Sequence, residues 1–278
     1  MEERILTEEK IDAFQKHLIR GEKSMITIEK YLHDVRMFKI FAEGNPIKKD
    51  LVLAYKQSLI EQYAVRSVNS KLASLGSLFS FLGWEDCKVK SLKLQQQIYA
   101  SEKKELTKTE YLRLINASAT NPRLCLIIET LCSTGIRVSE LQYFTVEAVS
   151  AGTVTVSSKN KTRNILIPGK LRKLLLNYAK RRGITNGIIF RTRSGRPLNR
   201  SNIWAEMKRL CAAARVHAEK VFPHNLRKLF ARTFYSIEKD IAKLADILGH
   251  SSINTTRIYI MTTYFEHRRK IERLGLVV

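Results

Sequence analysis

The stretch HNLRKLFARTFYSIEKDIAKLADILGHSSINTTRIY, residues 224–259, decides how this chain is to be read. It places two imidazoles, His224 and His250, a guanidinium, Arg227, and a phenol, Tyr259, within 36 residues of a chain that has six histidines in all. These groups suit chemistry on a phosphate. A guanidinium offers phosphate oxygens a planar fork of donors, an imidazole moves protons near neutral pH, and a tyrosine can serve as a covalent nucleophile. Asp246 is the acid nearest in sequence to these groups and stands in no cluster, so no carboxylate cluster is expected to hold a metal, and the positive charge must come from side chains. The apolar positions Leu226, Phe230 and Phe234 predict a helix after Pro223. A second helix over 239–248 is predicted to end at Gly249, with Thr255 or Thr256 opening the helix or turn that carries Tyr259. The charged segment 264–273 reads as a further helix.

Upstream, TGIRVSEL at 134–141 supplies another guanidinium. Arg137 and Glu140 stand three apart at the predicted start of a helix and share a face. Taken alone, that spacing describes a surface ion pair of little energetic value. The helices before it, over 107–117 and 121–133, are marked by a Thr107/Glu110 capping box and by the break at Gly135. Between Thr153 and Pro168 the hydrophobic period changes to two, which predicts a β-hairpin whose polar tip carries Lys159, Lys161 and Arg163. A solvated turn would account for one or two of these without any function. A basic amphipathic helix over 170–182 follows, then a short strand over 187–191 and a helix with Trp204, capped by Asn199 or Ser201.

The amino-terminal part has a different character. Thr7 with Glu8 and Glu9 predicts a helix start, followed by apolar positions Ile11, Phe14, Leu18 and Ile19. A second helix opens near Thr27, with an apolar face through Ile28, Leu32, Val35, Phe38 and Ile40, and stops at Gly44 and Pro46. A third covers 49–63 and a fourth runs from Ser67 to Gly83, which makes a compact bundle. Periodicity is lost over 85–104, the expected connector. The resulting division is a helical domain over 1–90, a linker over 91–104 and a larger domain over 105–278, mainly helical with a small β-sheet.

Composition bounds the function. The 278 residues are 44% hydrophobic, enough for two ordinary cores. No apolar run could span a bilayer, and the charged start does not read as a signal peptide, so a cytoplasmic location is expected. Cys87, Cys125, Cys132 and Cys211 are widely spaced and read as free thiols. Residues 1–100 hold 16 Lys and Arg against 13 Asp and Glu, whereas 101–278 hold 33 against 13, a net +20. An excess concentrated in one half is the electrostatic footprint of a nucleic-acid binder.

Taken in order, Arg137 in TGIRVSEL, Lys159 on a hairpin, His224 with Arg227, His250 in LGH and Tyr259 nine residues further on resemble the pattern of the tyrosine recombinases, also called phage-type integrases. The resemblance extends upstream, where Ser24, Thr27, Tyr31 and Asp34, then Ser67, Leu72 and Leu75, fit the family's SAM-like core-binding bundle. Size and layout look most like Xer recombinases and small transposon integrases. The linker departs from relatives in lacking a proline, and no extra domain for arm-type sites is evident.

The resemblance implies a site-specific recombinase that acts on double-stranded DNA as a homo-tetramer on two sites, with no cofactor, no membrane and no small-molecule substrate. Tyr259 would attack the phosphodiester and leave a 3′-phosphotyrosine and a free 5′ hydroxyl. Arg137, Arg227 and His250 would hold the phosphate oxygens, and His224 would accept a phenolic proton that ordinarily leaves only near pH ~10. Lys159, with Lys161 as its rival, would protonate the departing oxygen, and Glu140 would steady the site. Tyr235 and Tyr264 rival Tyr259 without keeping its interval from LGH. The outcome on DNA could be integration, excision, inversion or dimer resolution. A type IB topoisomerase uses similar residues, and a DNA-binding protein with a decayed site is the third reading.

Overall fold

The computed structural model describes residues 4–93, 104–158, 161–261 and 264–275. Their contacts divide the chain into two compact units, residues 1–96 and 97–278.

The first unit is a bundle of α1 (Glu8–Arg20), α2 (Met25–Ala42), α3 (Lys49–Gln62) and α4 (Val65–Leu82). Thr7 caps α1 by accepting from the Lys10 amide, and two glutamates in the first turn complement the helix dipole. Phe14, Phe38 and Phe79 are fully buried, and Phe38 meets Tyr55 and Phe79 at ring-centroid distances of 5.1 and 5.9 Å. Each such buried ring contributes about 1.5–3 kcal/mol. Two expected core positions, Ile19 and Ile40, are instead exposed, because each lies one position off its helix's buried stripe. Ser24 caps α2, which starts two residues before Thr27, since its hydroxyl accepts from the Thr27 amide. Asp34 is buried on α2 and takes bonds from Lys30 and Ser74 at 2.7 Å and from Lys71 at 3.3 Å. Burial alone would raise the pKa of its carboxyl, but the bonds from Lys30 and Ser74 outweigh that and hold it below the usual range.

Residues 85–93, read from sequence as the start of a connector, are fastened to this bundle. Cys87 is fully buried, and Asn69 clasps Leu92 with two bonds, 2.9 Å to its carbonyl and 2.8 Å from its amide. Apart from the single 3₁₀ turn Glu85–Cys87 the segment lacks periodicity, because it is held by side chains of α3 and α4.

The second unit opens with α5 (Lys108–Ala117), where the Thr107/Glu110 capping box is complete, and α6 (Pro122–Thr134). Residues Val138–Tyr143 form a 3₁₀ segment where an α-helix was expected; the Glu140 carboxylate folds back to the Arg137 amide and is held from β2 by Arg163. Next come α7 (Val146–Ala151) and the antiparallel pair β1 (Thr153–Ser158) and β2 (Lys161–Leu166), with Val156 opposite Arg163. Then follow α8 (Gly169–Arg181), α9 (Arg200–Arg209), capped by Asn199, α10 (Cys211–Ala214) and α11 (Pro223–Ile237). The expected strand over 187–191 is reduced to single bridges at Ile188 and Arg191, the former to Thr145. The chain continues with α12 (Ile241–Leu248), α13 (Ile253–Ile260), capped by Ser252 and not by either threonine, and α14 (Tyr264–Glu272). Among the described residues no helix is long and apolar enough to cross a membrane, and the four cysteines are free.

α11 packs against both α6 and α13. Gly135, which ends α6 at φ +63°, lies so close that a Cβ there would come within 2.3 Å of the Phe230 ring on α11. Only glycine permits both that conformation and that approach, so the end of α6 is fixed against the helix that carries His224 and Arg227.

Candidate active site

Pro223 starts α11, where its missing amide hydrogen and fixed φ cost nothing, and this sets His224 and Arg227 in the first turns. The Arg227 side chain turns inward and is 2% exposed. One terminal nitrogen donates to the Gly135 carbonyl at 2.5 Å, and the other to the Leu248 carbonyl at 2.6 Å and to His250 Nε2 at 3.0 Å. Both carbonyls lie at the C-terminal ends of helices, α6 and α12, where unpaired carbonyls and the dipole favour a cation. Burial, aided by Arg137 nearby, lowers the guanidinium pKa to about 10, so it is still charged at neutral pH. Its buried Nε has no hydrogen-bond partner among the described residues.

This contact assigns the His250 tautomer. Because Arg227 donates to Nε2, the ring's proton sits on Nδ1 and is donated to Thr256 Oγ1 at 2.9 Å. Burial, then the charges of Arg227 and Arg137, push the His250 pKa down to about 4. Tyr259 lies between the two imidazoles, edge to face with each at 4.9 Å, and is 8% exposed. Its hydroxyl is 3.4 Å from His224 Nδ1. His224 opens to the cleft, yet partial burial and the charges of Lys228 and Arg227 lower its pKa as well, with Glu105 opposing. A neutral imidazole beside a phenol is the protonation state a general base requires.

Arg137 joins the group from the 3₁₀ segment. It donates to Glu140 Oε1 at 3.1 Å and to the Gly249 carbonyl at 3.3 Å. Glu140 is 3% exposed and also receives Arg163 from β2 in a two-bond fork, at 3.0 and 2.7 Å. Arg163 is therefore no tip residue as expected; it shares the inward face of β2 with the buried Ile165. Before the site opens a cleft of about 940 Å³, lined by Arg137, Arg200, Trp204, Phe222, His224 and Lys228 among others.

Arg137, Glu140, His224, Arg227, His250 and Tyr259 are thus brought together. Lys159 lies outside the described residues, as does the Lys161 side chain, so the choice between them stays open. Tyr235 sits on α11 with the Lys239 ammonium 5.5 Å from its ring centroid, while the Tyr264 side chain lies outside the description. Sequence reading missed four participants. Arg163 carried a signal, the alternation with Ile165 and Ile167. Thr256 was noted only as a helix start. Glu105 pairs with Lys228 at 3.0 Å and Arg232 at 3.6 Å, and Asn225 holds the Lys104 carbonyl at 2.7 Å; both come from sequence-distant contacts that no spacing rule reveals.

The profile of the phage integrase family matches residues 104–266, more than half the chain, and that of the phage integrase N-terminal SAM-like domain matches residues 11–86. The chain belongs to the phage integrase family. Among relatives, it is 30% identical to tyrosine recombinase XerA of Pyrococcus furiosus over 100% of this chain and 98% of that one. It is 31% identical to XerA of Thermococcus kodakarensis over 97% and 96%. Among solved structures, a lambda integrase (residues 75–356) dimer bound to a COC′ core site superposes with a TM-score of 0.75 at 20% identity, over 92% of this chain and 95% of that one. A XerA recombinase crystal structure gives 0.55 at 24% identity over 98% and 100%. These likenesses establish the integrase fold in both units.

The depressed histidines have a readable consequence. A His250 pKa of about 4 in the fold lies below the ordinary value of 6.5, so the unfolded chain binds the extra proton first. The stability this neutral ring confers is complete above pH ~6.5 and declines as pH falls toward 4. Long-range ¹H–¹⁵N spectra of the imidazoles at pH 6 should show His250 neutral with its proton on Nδ1. An imidazolium at that pH would refute the assigned network.

Proposed function

We propose that this integrase-family protein is a site-specific DNA recombinase in which Tyr259 cuts one strand and holds it as a 3′-phosphotyrosine. The observation that carries the reading is a phenol 3.4 Å from an imidazole whose pKa burial lowers, beside a buried guanidinium. His224 accepts the phenolic proton as the oxygen attacks phosphorus. Arg227 and Arg137 neutralise charge on the non-bridging oxygens as the transition state forms. In the free protein His250 Nε2 serves as an acceptor for Arg227. A phosphate oxygen that takes over the Arg227 bond frees that nitrogen, raises the ring's proton affinity and lets it donate to the same oxygen. Lys159, or Lys161, protonates the 5′ oxygen as its bond to phosphorus breaks. The phosphotyrosine conserves the bond for religation to a new 5′ hydroxyl, so neither a cofactor nor a metal enters the scheme.

Double-stranded DNA is the substrate, held largely through its phosphates by the net +20 charge of residues 101–278. The SAM-like match in the amino-terminal unit favours recombination over a topoisomerase's relaxation of DNA. Neighbouring structures include a lambda integrase tetramer bound to a Holliday junction, and we assign this chain the same order of assembly, a tetramer on two sites. The carboxy-terminal tail is its proposed connector. α14 is tied to α11 by Arg232 and Glu266 at 2.9 Å, and beyond its middle Ile271 and Leu274 are 54% and 61% exposed, an apolar edge suited to a neighbouring protomer.

Two outcomes are expected. Tyr259→Phe should bind DNA with unchanged affinity and form no covalent adduct with a nicked suicide substrate, with or without EDTA. An adduct that survives this change and vanishes in Tyr264→Phe would reassign the nucleophile. Deleting residues 265–278 should lower recombination by about 100-fold, the scale of lost multivalent linkage, and leave single-site binding within a few-fold. Equal loss of both, with a reduced helical signal by circular dichroism, would place the tail on its own domain.

A further inference from the structure

Arg163 has no part in the scheme above, yet its side chain is 15% exposed and both its terminal nitrogens are committed to one carboxylate. That carboxylate, Glu140, takes four donors: the Arg163 fork, the Arg137 amide at 2.7 Å and an Arg137 terminal nitrogen at 3.1 Å. One buried acid thus joins the β1–β2 hairpin to the guanidinium assigned to the phosphate. The Gly249 of LGH completes the arrangement. A Cβ on Gly249 would come within 2.9 Å of Arg163 Cδ and of one of its terminal nitrogens, so the glycine beside His250 also clears the path of this side chain.

The position of Arg163 along the hairpin gives this contact its meaning. Val154, Val156 and Ile165 anchor the strands in the core, and Val156 pairs with Arg163. On the next rung toward the turn, Ser157 and Thr162 are both exposed. Among the described side chains, the Arg163 rung is therefore the one nearest the turn that packs into the core. Among the described residues, a second tie in this region is an exposed bond from the Tyr143 hydroxyl to the Ser157 carbonyl at 3.2 Å. A two-stranded hairpin has little stability of its own, so where its turn sits depends on what fastens that rung.

We propose that Arg163 is a positioning residue that fixes the β1–β2 hairpin, and with it the lysine that protonates the leaving oxygen, against the phosphate site through Glu140. Removing Arg163 leaves Glu140 its two bonds from Arg137 but takes away its main counter-charge, and Arg163→Lys, which keeps a cation there, controls for that loss. What is lost is the tie to the hairpin. A displacement on the order of 1 Å at a reacting group costs about 100-fold in rate, and here that loss should fall on proton delivery alone.

The inference rests on the general-acid role proposed for Lys159 or Lys161, and the test separates the two. Cleavage by the full-length protein is measured on ordinary DNA and on DNA with sulfur replacing the 5′ bridging oxygen at the scissile phosphate, whose thiolate leaves without a proton. Arg163→Gln should cleave ordinary DNA about 100-fold more slowly than the unaltered protein and the thiolate substrate within a few-fold of it. Arg163→Lys, which keeps the charge but loses the fork, should show the same split in smaller degree. DNA affinity and thermal unfolding of both variants are followed in parallel, so that a misfolded protein is recognised by loss on both substrates. Lys159→Ala and Lys161→Ala provide the reference, since one of them must be rescued by sulfur if a lysine is the acid. If a lysine variant is rescued and both folded Arg163 variants are impaired equally on the two substrates, or on neither, the positioning role is wrong. If no lysine variant is rescued, the general-acid reading fails first.

Discussion

A guanidinium with 2% of its surface exposed is the constraint from which the second unit takes its shape. Burying a charge without partners is prohibitive, so the fold around Arg227 must supply acceptors in fixed places. It does so with the C-terminal carbonyls of two helices, α6 and α12, and with an imidazole nitrogen. Each acceptor brings its own consequence. The Gly135 carbonyl requires the close approach of α6 to Phe230. The Leu248 carbonyl fixes the end of α12 and hence the turn that presents His250. The imidazole contact sets the His250 tautomer, which recruits Thr256 and so orients α13, the helix that carries Tyr259. The position of Tyr259 is thus a third-order result of one buried cation.

The same cation prepares the site for an anion. Burial first, then the charges of Arg227 and Arg137 on both rings and of Lys228 on His224, lower the pKa of the two imidazoles. A site whose fixed charges already suppress additional protons gains most from a ligand that brings negative charge. In the proposed reaction, phosphate binding and protonation of His250 would be linked, because an anion that takes over an Arg227 bond would also offset the charge of the imidazolium. Glu140 balances the arrangement on the other side. Burial would raise the pKa of its carboxyl, but Arg163, with the bonds from Arg137, outweighs this and keeps it ionised.

How much of this was legible in the sequence depended on the range of the interaction. Local rules read the helices well, because caps and stops are made by neighbours: Thr107 with Glu110, Gly135, Pro223 and Gly249 all perform as their residue types imply. The candidate site was legible because its residues fall in short motifs with a family pattern. The failures lie where a distant contact overrides the local signal. Residues 138–143 tighten to a 3₁₀ segment around a carboxylate whose main partner lies 23 residues away, on β2. Ile19 and Ile40 satisfy a loose helical spacing and still face solvent, since hydrophobic periodicity marks a face only to within about one residue. Glu105 and Asn225 were not legible at all. Their role is to bind residues 104–105 to α11, across more than 120 positions of sequence.

The dependence of the unit on one buried guanidinium can be measured most directly in Arg227→Lys. A lysine keeps the charge but cannot reach two carbonyls and an imidazole with one nitrogen. Urea unfolding at pH 7, followed by tyrosine and tryptophan fluorescence, should show the variant less stable by about 2–4 kcal/mol. Imidazole ¹⁵N spectra should show His250 released from its fixed tautomer in the same protein. A variant as stable as the original, with the His250 proton still on Nδ1, would contradict the account.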